Sequence, residues 1–169
     1  INEDMVLSAA DSPHLVTGDL VLHRTCDDTL AKLTIEPGAV VKFATTDAMA
    51  GGTDEERVSL LIHAGHLVLG GDPGNPAILT SAADEPAPGD WLGVQSSLST
   101  NGLLSADGFV IEWPRYGLYG QPETTSPIAN GLIQHAYYDG IYFFEGGIAF
   151  EGLTIRDCLR YGVHLNSAD

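Results

Sequence analysis

Residues suited to ligand chemistry are concentrated in the last third of this 169-residue chain. Of its 13 Phe, Trp and Tyr residues, 11 lie between Phe109 and Tyr161, including all six tyrosines. A flat ring with a polar edge suits a sugar, whose C–H faces are apolar. Tyr119, Tyr142 and His164 recur at a nearly constant interval, so on strands they would form one exposed stripe. With Trp113 beside them, they are the candidate substrate-binding residues. The same pattern describes outer-face residues covered by loops or by a partner subunit, which is the reading we favour. Histidines and cysteines add little. His63 and His66 flank Ala64-Gly65, and His135 and His164 fall in different columns, so no three-ligand metal set is expected. Asp54-Glu55-Glu56 and Asp84-Glu85 leave a place for Ca²⁺ in loops, and no other cofactor is expected. Cys26 and Cys158 stand near opposite ends of the chain outside any CxxC motif, and that separation predicts that they are not bonded to each other.

The elements that would carry these residues repeat. Ile111, Ile133 and Ile155 recur at an interval of about 22 residues, and so do Gly117, Gly140 and Gly162. Each unit holds two short apolar runs separated by a turn, too short for helices, and no helical apolar stripe persists anywhere. Strands are therefore expected, stacked at the parallel spacing of about 4.8 Å. The columns predict Leu118, Ile141 and Val163 inside, Tyr119, Tyr142 and His164 outside, and Cys158 in the small inward column of Ala136 and Pro114. The period reads as an all-β right-handed parallel β-helix, a solenoid of about six coils of about 22 residues. It forms one domain over residues 1–169, with residues 1–12 as N-terminal cap. Insertions are expected at 23–32, 44–58, 82–90, 96–107 and 120–127. Gly162 to Asp169 stops just after a core strand, so the C-terminal edge is expected to be uncapped or continued by further chain. The opening Ile1-Asn2-Glu3 reads as a processed or trimmed start.

Three segments carry a family resemblance: Ser12 to Leu20, Leu33 to Phe43 with its Thr-Ile-Glu-Pro-Gly corner, and Gly71 to Ser81. They resemble opening coils of parallel β-helix modules of the pectin-lyase-like superfamily, in particular those of secreted or surface-anchored bacterial proteins. The 23–32 stretch departs from the pattern, since such modules join these strands by a shorter turn. The resemblance implies anything from polysaccharide lyases and glycoside hydrolases to adhesins and spacers, because fold alone does not decide function. Lyase-like elimination would use Ca²⁺ and an arginine base. The pieces at hand are Arg156 and Arg160 with Asp157, near Asp139 and Glu112. Against this, Glu112, Gln134 and Arg156 form one column and read more simply as an outer ladder of compatible neighbours. Hydrolase motifs are missing.

Charge narrows the partners. Seven Lys and Arg against 23 Asp and Glu give −16, which opposes nucleic acid and polyanions. No apolar run approaches the roughly 20 residues that cross a bilayer, so no membrane insertion is expected. The sequence thus reads as a non-catalytic structural or adhesive module, extracellular or at the cell surface, with a polysaccharide or a second identical subunit as candidate partner. The alternative is a carbohydrate-active or carbohydrate-binding domain with its groove on the C-terminal segments.

Overall fold

Alternation of apolar and polar residues in short runs dictates short strands with one face buried. In Lys32 to Ile35, Leu33 and Ile35 are buried while Thr34 is only partly so, and in Val40 to Phe43 the buried pair is Val41 and Phe43. A computed structural model describes residues 1–50, 52, 54–96, 102–144 and 147–166. Among these residues the strands are β1 (Met5–Leu7), β2 (His14–Val16), β3 (Leu20–Leu22), β4 (Lys32–Ile35), β5 (Val40–Phe43), β6 (Ser59–Ile62), β7 (His66–Gly70), β8 (Ala77–Ser81) and β9 (Gly93–Ser96). They continue with β10 (Leu103–Glu112), β11 (Leu118–Gly120), β12 (Glu123–Thr124), β13 (Ile128–Gln134), β14 (Ile141–Phe143), β15 (Phe150–Glu151), β16 (Thr154–Arg156) and β17 (Val163–Leu165).

Every pairing between these strands is parallel, in two sheets. The first follows a seven-strand, barrel-like path, β1-β4-β7-β10-β8-β5-β2, with β12, β13, β15 and β16 attached beyond β10. The second is a flat sheet in the order β17-β14-β11-β9-β6-β3. All-β structure with parallel strands is as the sequence implies. The expected right-handed β-helix solenoid, about six coils of about 22 residues, is corrected by this topology. Partners in the flat sheet run from Leu20 through Leu60, Val94, Leu118 and Ile141 to Val163, and the steps shorten steadily along that path. The short period therefore holds only in the last part. The strand β10 also merges what the period treats as separate stacks. Leu103–Asp107 pairs with β7, Phe109–Ile111 pairs with β8, and β12 and β13 lie on its other side.

Three of the expected insertions are corrected on the same ground, whereas 82–90 and the described residues of 44–58 carry no strand. Residues 103–107 belong to β10, Glu123–Thr124 forms β12, and Lys32 opens β4. Parts of two insertions, 97–101 and residues 51 and 53, lie outside the described residues, as do residues 167–169 of the expected C-terminal edge. Met5–Leu7, within the expected cap, pairs with Leu33–Ile35. Leu118 and Ile141 are buried as expected, whereas Val163, on the last strand of its sheet, is half exposed because no described strand lies beyond it.

Between the sheets lies a column core. Val41, Leu79, Ile111 and Ile133 follow one another in register and are fully buried, with Ile155 packing against the last. Each such side chain contributes about 1.5–3 kcal/mol of burial. Trp91 stacks on Phe43 at 4.1 Å, and its Nε1 donates to the Glu112 carbonyl at 2.9 Å, which satisfies the one polar atom that its burial would orphan.

Two recurring left-handed positions shape the strands of the last repeats. Gly108, Asn130 and Gly152 have φ of 69°, 49° and 58°, and Trp113, His135 and Asp157 have φ of 63°, 58° and 55°. Both sets recur at the interval of the isoleucines: Gly108 and Asn130 bend β10 and β13 within their length and Gly152 precedes β16, while Trp113, His135 and Asp157 directly follow these three strands. At Gly131 the constraint is space, since an added Cβ would meet Phe109 Cζ at 2.3 Å and Leu153 Cδ1 at 2.8 Å. Gly131→Ala is therefore expected to cost about 1–3 kcal/mol in urea unfolding through overpacking. Adding Phe109→Leu should recover part of that loss, and an unchanged single variant would contradict the packing described.

Candidate functional site

The site grows from the last three repeats, whose register superposes Pro-Arg-Tyr-Gly, Tyr-Tyr-Asp-Gly and Leu-Arg-Tyr-Gly. Tyr138 N–H donates to the Arg115 carbonyl at 2.9 Å and Arg160 N–H to the Tyr138 carbonyl at 3.1 Å, so Arg115, Tyr138 and Arg160 form one column. Their side chains make a cation–aromatic–cation stack. The two guanidinium carbons lie 5.3 and 5.0 Å from the Tyr138 ring centroid. The next column is Tyr116, Asp139 and Tyr161. Asp139 is fully buried, and Arg160 grips both its oxygens, Nε to Oδ1 at 2.8 Å and Nη2 to Oδ2, while Tyr161 N–H donates to Oδ1 at 3.2 Å. This bond to Asp139 raises the Arg160 pKa further above its ordinary value.

Past Gly117, Gly140 and Gly162 the chain enters β11, β14 and β17. There Tyr119, Tyr142 and His164 stand in register, with ring centroids 5.4 and 4.4 Å apart. Tyr116 packs 4.9 Å from Tyr119 and 5.2 Å from Tyr138, and Phe144 packs edge-on to Tyr119 and Tyr142 at 5.3 and 5.0 Å. All of these rings are half-buried, which leaves a continuous aromatic face open at one side. Burial raises the Tyr116 and Tyr119 phenol pKa values, so both stay neutral donors in any ordinary buffer.

Beyond Tyr138 lies a cleft of about 400 Å³. Arg115 Nη1 reaches Asp54 Oδ2 at 3.0 Å and Arg57 Nη1 reaches the same oxygen at 3.4 Å, so one carboxylate serves two guanidiniums. Arg57 Nε donates to the Gly89 carbonyl at 3.0 Å, tying the cleft to the loop before Trp91. Burial alone would raise the Asp54 pKa, but the Glu56 N–H and the two arginines outweigh it and hold the carboxyl below its ordinary 3.8.

The residues singled out from the sequence thus fall in three places. Tyr119, Tyr142 and His164 share the aromatic face. Trp113 stacks on His135 at 4.1 Å on a strand corner, apart from that face. Arg156 lies on the first sheet at the end of a polar ladder, in which Thr80 and Gln134 both donate to Glu112 and Arg156 Nε donates to Gln134 Oε1 at 2.7 Å. Asp157 is an exposed corner residue 3.8 Å from Arg156. Arg160 belongs to the tyrosine face. The structure therefore does not bring Arg156 and Arg160 together, and each is already bonded to a neighbour. Sequence reading sets Asp139 near Arg160 only as a piece of a lyase-like set, whereas here the two form a buried ion pair; it missed Arg115 and Tyr138 as the column on which Arg160 stacks, although the same interval that aligns the glycines carries that signal. It also missed Asp54 and Arg57, which no period links to Arg115. Cys26 and Cys158 are free, and burial raises the Cys158 thiol pKa. Among the described residues no group of three His, Cys, Asp or Glu side chains converges on a metal position. No family model, curated protein or solved structure matches the chain.

Removing one partner from a buried ion pair leaves an uncompensated charge. Arg160→Leu is expected to cost about 2–4 kcal/mol, and Arg160→Leu with Asp139→Asn to recover at least half, as measured by thermal or urea unfolding. Equal stability of the two variants would contradict the role given to Asp139. Asp54→Asn should cost about 1 kcal/mol at pH 7. Because the folded carboxyl titrates below its unfolded value, its contribution is complete above about pH 4 and drains away as pH falls through the folded pKa. The gap between wild type and Asp54→Asn should close over that range.

Proposed function

We propose that this chain is a non-catalytic, extracellular adhesive module that holds a glycan against its tyrosine face. The observation that carries this reading is the register of Tyr119, Tyr142 and His164, bordered by Tyr116, Tyr138 and Phe144. Successive flat faces at strand spacing suit the apolar C–H faces of a sugar, while the phenol hydroxyls supply hydrogen bonds. The arginines support binding rather than proton abstraction. Arg160 is held by a buried carboxylate and overlies Tyr138, Tyr142 and Tyr161, so it orders the platform instead of offering a free base. Arg156, the other candidate base, is tied into the ladder with Gln134. The extracellular location and the link to pectin-lyase-like modules rest on the likeness of the Ser12 to Leu20, Leu33 to Phe43 and Gly71 to Ser81 segments to secreted bacterial proteins.

The test is a glycan array followed by titration calorimetry on the retained sugars. Tyr142→Ala and Tyr119→Ala, kept folded by the untouched core columns, are each expected to weaken binding roughly tenfold, the worth of one well-placed aromatic contact. Failure of the protein to retain any glycan, or retention indifferent to both tyrosines, refutes the reading.

A further inference from the structure

His164 ends the row of rings that Tyr119 and Tyr142 begin, and its two edges stand in different surroundings. The side chain is 34% exposed, yet Nδ1 is buried and makes no hydrogen bond, so the exposure falls on the rest of the ring. A buried polar atom without a partner calls for an explanation. Oδ2 of the fully buried Asp139 lies 3.5 Å from it. That carboxylate has room for one more donor. Oδ1 accepts from Arg160 Nε at 2.8 Å and from the Tyr161 N–H at 3.2 Å, whereas among the described residues Oδ2 accepts from Arg160 Nη2 alone. A carboxylate oxygen has lone pairs for two donors. A bare Nδ1 would set its own lone pair against Oδ2, and an N–H there is attracted to it. The other groups facing His164 are Tyr142 from β14, at a ring-centroid distance of 4.4 Å, and Tyr161 from the turn before β17, at 5.2 Å. Arg160 comes from the same turn and reaches the shared carboxylate. Asp139 is thus the one carboxylate paired with His164 among the described residues.

We propose that His164 is a second, proton-operated counter-ion of Asp139, and that it turns this end of the tyrosine face from neutral to cationic as the pH falls. The neutral ring carries its hydrogen on Nδ1, directed at Oδ2. Uptake of a proton on Nε2 keeps that contact and makes both of its partners charged. Arg160 and Asp139 cancel each other, so the set of Arg160, Asp139 and His164 then gains one positive charge. Nε2 changes in the same step from hydrogen-bond acceptor to donor. Histidine is the side chain whose charge ordinarily changes between about pH 5 and 8. The regulation rests on the glycan-binding reading above: a glycan seated on Tyr119 and Tyr142 meets a neutral acceptor above that range and a charged donor below it.

Unfolding of Arg160→Leu tests the counter-ion apart from any glycan. With the guanidinium gone, protonated His164 is the cation left facing Asp139. The folded state then holds that proton more tightly than the unfolded chain, which adds stability at low pH that is lost as pH rises through the folded titration. The penalty of Arg160→Leu, measured as a ratio of unfolding equilibrium constants in urea, is expected to be about tenfold smaller at about pH 5.5 than at about pH 8. In a His164→Phe background the penalty is expected to be the same at both. A penalty independent of pH overturns the proposal, and so does a pH dependence that survives His164→Phe, since the proton then goes to another group. Should Arg160→Leu not fold, nitrogen-15 NMR of the wild-type imidazole decides: hydrogen on Nδ1 of the neutral ring is expected, and hydrogen on Nε2 with a bare Nδ1 overturns the proposal. For the regulation, a glycan array run at the same two pH values is expected to retain different sets of glycans on wild type and one set on His164→Phe. Sets that do not change with pH on wild type refute the regulation. If no glycan is retained at either pH, the glycan-binding reading fails, while unfolding and NMR still decide the counter-ion.

Discussion

The structure depends on parallel strands paired without a slip in register. In such pairing each strand satisfies its N–H and C=O groups on the strands above and below, and every residue stands directly over its partner. A slip of one residue would turn Val41, Leu79, Ile111 and Ile133 out of the core and put their polar neighbours in. Burial of that column and pairing of the backbone are thus one constraint, and it transmits sequence position into space. Whatever type of residue recurs along the chain becomes a ladder: isoleucine in the core, Glu112 with Gln134 and Arg156 on one outer face, and Tyr119 with Tyr142 and His164 on the other.

Ladders favour like neighbours only when those neighbours attract. Two arginines in adjacent positions would repel, and the chain avoids this by placing Tyr138 between Arg115 and Arg160 and Asp139 between Tyr116 and Tyr161. The result is a lattice of cation–aromatic and ion-pair contacts in which Arg160 and the Tyr161 N–H hold the buried carboxylate of Asp139. The same lattice keeps the rings of Tyr116, Tyr119, Tyr138, Tyr142, Phe144 and His164 in mutual contact, a rigid surface of the kind that stacking on a sugar favours. Rigidity of the face and recognition by the face thus have a common origin.

The bends and ends of the strands show the cost of this order. Asn130, Trp113, His135 and Asp157 adopt left-handed backbone that glycine adopts more readily, each at an expense of about 1 kcal/mol. Asn130 recovers part of it through a 2.8 Å bond to Asp107, and Trp113 and His135 by stacking on each other. Trp113 is conspicuous in the sequence as a candidate sugar-stacking residue, yet its ring is engaged at a corner.

Strand character, parallel stacking and the columns of the last three repeats follow from the sequence, because period-two burial and a regular recurrence are local properties of the chain. The stripe of Tyr119, Tyr142 and His164 was legible on that ground, and the Arg115, Tyr138 and Arg160 column was equally open to reading. The early part was not. Insertions lengthen its repeats well beyond those of the last part, and Gly108 carries β10 through a bend that looks like a loop in sequence, so two stacks join in one barrel-like sheet. Only tertiary structure decides that Asp54, far from Arg115 in the chain, closes the cleft, or that Arg160 faces the tyrosines while Arg156 faces the opposite ladder. The physical reason is that side-chain direction along a strand can be read from alternation, whereas the place to which an irregular loop returns depends on the contacts it makes.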